Sequence, residues 1–365
     1  MAQLIFDFPP PGGGEDYFDT NYDGALTLLT GGTPTDYISI GEDNEIIITG
    51  TGSDNSAIFG KNNTIDDSPD SLIIGISSTN NGSDNSQQIG KNNTLSGNVI
   101  NSGNLQFGRY LNTSLSASSI VIGSNLAVSN QSYGITIGTL STTSGSAAIS
   151  IGREVDVDGS SSVSIGFKNN LTGRYGVNIG YNNNIDGWDS IVIGKNTNAL
   201  GNNGYSGTPR HIAIGDGVNV AINSYSNIAL GTNVNTSNSY SVAIGYNTSS
   251  TGFASVVVGS YSNSNSDNTT SVGPNASTTA GYSVSVGYNT LSSAFSAISV
   301  GYQITTNGEY AVSIGYNISN SGKYAIAIGY SSSATEQNSI QLGTGTNSTA
   351  STLQFLTNTL ANAEG

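Results

Sequence analysis

The stretch Tyr310 to Tyr330 reads "YAVSIGYNISNSGKYAIAIGY" and holds one phrase twice, S-I-G-Y and then A-I-G-Y, closed by Gly315 and Gly329 fourteen residues apart. Working outward, glycines that close such a phrase recur at positions 138, 152, 166, 180 and 194, and again from 231 to 343, every interval within each run being fourteen. A looser series at 41, 60, 75, 90, 108 and 123 is spaced by fifteen to nineteen residues, and Gly215 stands between the two regular runs, making twenty-one candidate coils. In the unit "SVAIG", Ser241 to Gly245, Val242 and Ile244 flank the small Ala243. Alternation of this kind marks a strand with two different faces. Fourteen residues hold two short strands and two tight turns, with no room for a helix. The turns carry Gly-Tyr-Asn at Gly245-Tyr246-Asn247, Gly287-Tyr288-Asn289 and Gly315-Tyr316-Asn317, and Gly and Asn both tolerate the positive φ of a sharp corner. Such units stack into a parallel β-solenoid. At about 4.8 Å per coil the stack would be a rod on the order of 100 Å long.

Composition alone would suggest a linker: Gly is 48 of 365 residues, 9% are charged and 35% hydrophobic, values close to those of disordered chains. The fixed spacing of the apolar residues excludes that reading. No Cys is present, so disulfides and thiolate metal sites are not available, and one histidine, His211, leaves little acid–base chemistry near neutral pH. The sequence predicts no enzyme and no cofactor. The start, "MAQLIFDFPPPGGGEDYFD", lacks the basic segment and long apolar run of a secretory signal, and no 18-residue apolar span occurs. A chain assembled in the cytosol and not inserted in a membrane is the expectation. Of the net charge of −15, residues 1–90 hold 14 acids and one base, Lys61. An acidic head on a nearly neutral body argues against nucleic acid as a partner.

Four regions follow: an N-terminal attachment segment and linker (1–36), irregular coils (37–130), regular fourteen-residue coils (131–345) and a C-terminal cap (346–365). The backbone entropy of ordering one coil is comparable to what its few apolar side chains and ladder hydrogen bonds return. The rod is therefore expected to be an obligate oligomer. The small residues Ala229, Ala243, Ser285, Ser299, Ser313 and Ala327 are expected to admit a neighbouring chain's sheet.

The run "SVAIGYNTSSTGFASVVVGSYS", Ser241 to Ser262, resembles the head repeat of trimeric autotransporter adhesins of the YadA type. The resemblance is close over about 131–345 and looser over 37–130. It implies an all-β, left-handed parallel β-roll in a homotrimeric fibre, and surface adhesion. The ending "NSIQLGTGTNSTASTLQF", Asn338 to Phe355, looks like the closing phrase of bacteriophage fibre repeats. With no leader or anchor apparent, the main expectation is a bacteriophage virion fibre joined through its N-terminus to a capsid, collar or tail protein and touching host surface glycan. The alternative is the head of a bacterial surface adhesin.

Three features are candidate sites. Leu4, Phe6 and Phe8 alternate before a Pro-Gly linker and would suit strand addition to a virion partner. Intervals of 21 and 16 replace fourteen between Gly194 and Gly231, and the extra residues near "GNNGYSGTPRH" make Tyr205, Arg210 and His211 candidates for host contact. Glu154, Asp156 and Asp158 alternate in "GREVDVDG". They would suit Ca²⁺, although a solvated face beside Arg153 is the preferred reading and no metal is assigned. Two aromatic series, one just after the closing glycine (Tyr181, Tyr246, Tyr288, Tyr302, Tyr316, Tyr330) and one before the next (Tyr240, Phe253, Tyr282, Phe295, Tyr310, Tyr324), are expected to cover corners rather than grip sugars.

Overall fold

The computed structural model describes residues 27–30, 36–48, 55–99, 103–115, 117–129, 133–201, 210–221, 224–345 and 347–348. Among the described residues there is no helix, and every strand joins one sheet in which all pairings are parallel. The protein is an all-β parallel solenoid of about 19 turns with coils of about fourteen residues. A regular coil has a longer strand such as Val242–Tyr246, a corner, a short strand such as Ser249–Ser250, and a second corner leading to Val256–Ser260 one level on.

Coils stack in register because the period is constant: Ala243 lies opposite Val257, Gly245 opposite Gly259 and Ser250 opposite Ser264. Where the interval lengthens to 21 residues the register survives, with Gly194 beside Gly215 and Asn198 beside Asn219. The extra residues are accommodated between the short strand Asn198–Ala199 and the next long strand Ile212–Asp216.

Both residue types expected at the glycine corner take positive φ, 144° at Gly245 and 50° at Asn247. The opposite corner was less legible. Its left-handed position is filled by Tyr240, Tyr282, Tyr310 and Tyr324, with φ between 58° and 61°, a backbone region that bulky residues seldom adopt.

The inside and outside of the roll are the reverse of what the size of the side chains suggested. Ala229, Ala243, Ser285, Ser299, Ser313 and Ala327 do not await a neighbouring chain; all are 0% exposed inside the coil. Val242 and Ile244, on either side of Ala243, point outward and remain partly exposed. The physical reason is thickness. The chain reverses direction twice in fourteen residues, so the two inner faces are close, and residues seven apart meet across the interior. Ser271 and Thr278 hydroxyls are 3.0 Å apart, and those of Ser299 and Thr306 2.7 Å. Bulk on one side is balanced by a small residue on the other, as with Val192 and Ala199 or Val257 and Ser264.

Much of this interior is polar and internally bonded. Ser292 donates to Ser299 at 2.8 Å, and Thr306 donates to Ser313 at 2.8 Å, so hydroxyls run from coil to coil. Corner side chains bond the backbone that turns around them. Asn183 Nδ2 donates to the carbonyls of Ile179 (3.1 Å) and Gly194 (3.0 Å), while its Oδ1 accepts from Thr197 N at 3.0 Å. At the other corner Ser241 Oγ donates to Gly252 O at 2.8 Å. Buried polar groups satisfied in this way cost little to enclose, and the apolar remainder of the interior is Ala and Val with some larger side chains such as Leu171, Ile185 and Ile304.

Candidate functional site

The repeat turns each position of the coil into a strip along the rod. The outer face of the long strands is apolar: Ile165, Ile193, Ile214, Ile314 and Ile328 each expose 36 to 41% of their surface. These positions are neighbours in register, for example Ile193 beside Ile214 and Ile314 beside Ile328. An apolar strip of this extent is unusual on a monomeric protein.

The outer face of the short strands is polar instead. Asn170 donates to Asn184 at 3.0 Å, Asn219 to Asn235 at 3.1 Å, and Ser277 to Asn263 at 2.9 Å, each across one coil step. At the glycine corner, Tyr288, Tyr302, Tyr316 and Tyr330 form a ladder with centroids 5.0, 4.8 and 4.9 Å apart and planes within 12° of parallel. The facing surfaces of adjacent rings cover one another. Edges and hydroxyls are what the ladder presents, whereas gripping a sugar by stacking needs an open ring face.

The three carboxylates in "GREVDVDG" go to separate partners. Glu154 pairs with Arg153 at 3.1 Å and Lys168 at 3.6 Å, Asp156 accepts from the Thr142 hydroxyl, and Asp158 from that of Ser144. Among the described residues no group of three or more His, Asp or Glu side chains is arranged to hold a metal ion.

The candidates for host contact separate. Tyr205, like the attachment candidates Leu4, Phe6 and Phe8, lies outside the described residues. Arg210 is on the surface and pairs with Asp189 at 3.5 Å. His211 is fully buried, so its side chain reaches no external partner. It occupies the inner corner position that Ser190, Asn227 and Ser241 fill in neighbouring coils, accepting at Nδ1 from Asn227 N (3.4 Å) while Ser190 Oγ accepts from His211 N (3.2 Å). The imidazole substitutes for a hydroxyl or amide acceptor, a role invisible in a sequence where the only histidine stands beside an insertion.

Burial lowers the His211 pKa to about 4, below the usual 6.5 of an exposed imidazole. Between these values the unfolded chain binds the extra proton and the folded chain does not. Stability from this group is full above pH 6.5 and falls as the pH drops toward 4, by about 3 kcal/mol at most. His211→Ser should flatten that part of the curve. Melting temperatures of both proteins across this pH range test it, and parallel curves would reject the role.

The family model described as the YadA head domain repeat (2 copies) matches residues 228–248, 250–276, 264–290 and 321–346. Residues 228–346 carry YadA-like head repeats. No curated protein matches the chain. The head repeats thus fall on regular coils, and the coils before them continue the same glycine column back to Gly41 beside Gly60. These repeats are structural and adhesin-like rather than enzymatic.

Proposed function

We propose that the chain is the head of a trimeric bacterial surface adhesin, in which three copies bring their Val and Ile strips together along a common axis. The observation that carries this reading is the long apolar outer face of the long strands, interrupted at Thr270 and Gln87, on a coil whose own interior is small and largely polar. Burial of apolar area between chains provides the stabilisation that the thin core lacks. Three is the number suggested by the match to the YadA head repeat. The match to the YadA head repeat favours this reading over the expectation of a bacteriophage fibre.

In this assembly the amide and hydroxyl face of the short strands and the tyrosine corners remain outside, where a host surface would be met. Light scattering on the purified chain should return three chain masses, and beads coated with the trimer should adhere to host cells or to extracellular-matrix proteins more than beads coated with heat-denatured chain. A stable single-chain mass at micromolar concentration would refute the assembly; trimers without adhesion would refute the function and leave the assembly standing.

A further inference from the structure

We propose that the tyrosine ladder at the glycine corner is a site of covalent modification, at which a one-electron oxidant joins neighbouring rings within one chain as dityrosine. Three features of the ladder bear on it. Tyr288, Tyr302, Tyr316 and Tyr330 sit on successive coils with ring centroids 4.8 to 5.0 Å apart. The parallel ladder beneath holds that spacing, with Tyr288 in register with Tyr302, Tyr302 with Tyr316 and Tyr316 with Tyr330. All four rings are open to a small oxidant, with exposures of 44, 38, 40 and 54%.

The chemistry balances with an oxidant of the peroxide class acting through a haem peroxidase. Two phenols each give up one electron and one proton, leaving two phenoxyl radicals. The radicals couple through ring carbons ortho to oxygen, and the two hydrogens on those carbons move to the oxygens to restore both phenols. The two electrons and two protons reduce one hydrogen peroxide to two waters. Phenoxyl radicals in free solution must diffuse to meet, whereas here the partner is already adjacent, which raises its effective concentration by orders of magnitude.

The pattern of links is specific. Four rings allow Tyr288–Tyr302 together with Tyr316–Tyr330, or Tyr302–Tyr316 alone. At the opposite corner, among the described residues, only Tyr310 and Tyr324 are stacked tyrosines, 5.1 Å apart at 12°. The pairs Tyr240–Phe253 and Tyr282–Phe295 contain a phenylalanine, which has no phenol to oxidise. Each link would tie adjacent coils along the rod axis in addition to the backbone hydrogen bonds.

The test uses the full chain, oxidised with a haem peroxidase and hydrogen peroxide or with photoexcited ruthenium tris-bipyridyl and persulfate. Dityrosine fluorescence should appear while the chain keeps its single-chain mass on a denaturing gel. A Tyr302–Tyr316 link should join the peptides that glutamyl endopeptidase separates at Glu309. The double variant Tyr302→Phe, Tyr316→Phe leaves Tyr288 and Tyr330 three coils apart. It should lose the dityrosine peptides of these four rings at least tenfold and keep Tyr310–Tyr324 and the edge-on pair Tyr246–Tyr261, whose centroids are 5.3 Å apart, with circular dichroism unchanged. Links formed mainly between chains, links mapped mainly to tyrosines outside the adjacent pairs, or a yield from the four rings unchanged in the double variant would each overturn the proposal.

Discussion

Gly245→Ala is expected to separate the coils on either side of it and to lower stability by several kcal/mol, a loss that few single substitutions reach. Gly245 has a φ of +144°, and a Cβ built there would lie 1.5 Å from the carbonyl oxygen of Gly259 and 3.1 Å from Thr248 Cγ2. The oxygen belongs to backbone that is itself held in the ladder, so nothing flexible can move aside. Relief requires Val242–Tyr246 to draw away from Val256–Ser260, at about 1 kcal/mol for each ladder hydrogen bond broken. Gly343 provides the control. It lies in the same column with a φ of +121°, but among the described residues nothing is within 4 Å of the Cβ position. Gly343→Ala should therefore show only conformational strain, about 1–3 kcal/mol. Chemical denaturation of the two variants measures the difference. Equal losses would mean that φ alone, and not the approach of the next coil, requires glycine.

The second large effect is expected from Ile244→Asp. Ile244 lies outward between Leu230 and Val258 in register, in the middle of the apolar strip. In a lone chain the substitution removes partial packing, worth about 1 kcal/mol. In the proposed trimer it brings three carboxylates into an apolar seam, where desolvation costs several kcal/mol per charge. The variant should shift from three chain masses to one by light scattering and melt at a lower temperature that no longer rises with concentration. Ser249→Asp, on the outward polar face of the adjacent short strand, should keep the mass of the parent and change stability by no more than about 0.5 kcal/mol. If Ile244→Asp keeps the parent's mass, the strip is not the seam.

How far the sequence could be read is clearest at these residues. Gly245 and Asn247 were recognisable as a corner because their chemistry is local: each residue's own φ decides whether the turn can form. The insertion before His211 was recognisable for a similar reason, since a break in a strict period has to leave the ladder. Which side of "SVAIG" faces inward was not. A strand of alternating small and large residues can turn either set toward a core, and the usual preference for burying Val and Ile points the wrong way here. His211 was misplaced on the same grounds, because a titratable residue next to a loop suggests a surface role, while its register puts it in the inner corner column. The tyrosines at 240, 282, 310 and 324 take a backbone conformation that their type disfavours, and the stacking of Tyr310 on Tyr324 becomes visible only once neighbouring coils are aligned.

By itself, then, the amino-acid sequence determined the period, the strand-and-corner content of each coil, and the stacking of coils in register. All of these depend on spacing and on the backbone preferences of single residues. Only the tertiary structure decided which side chains close the roll, which remain outside and which corners carry rings. Those outcomes depend on how far apart the two sheets of one coil stand, a distance set by both strands and both corners together.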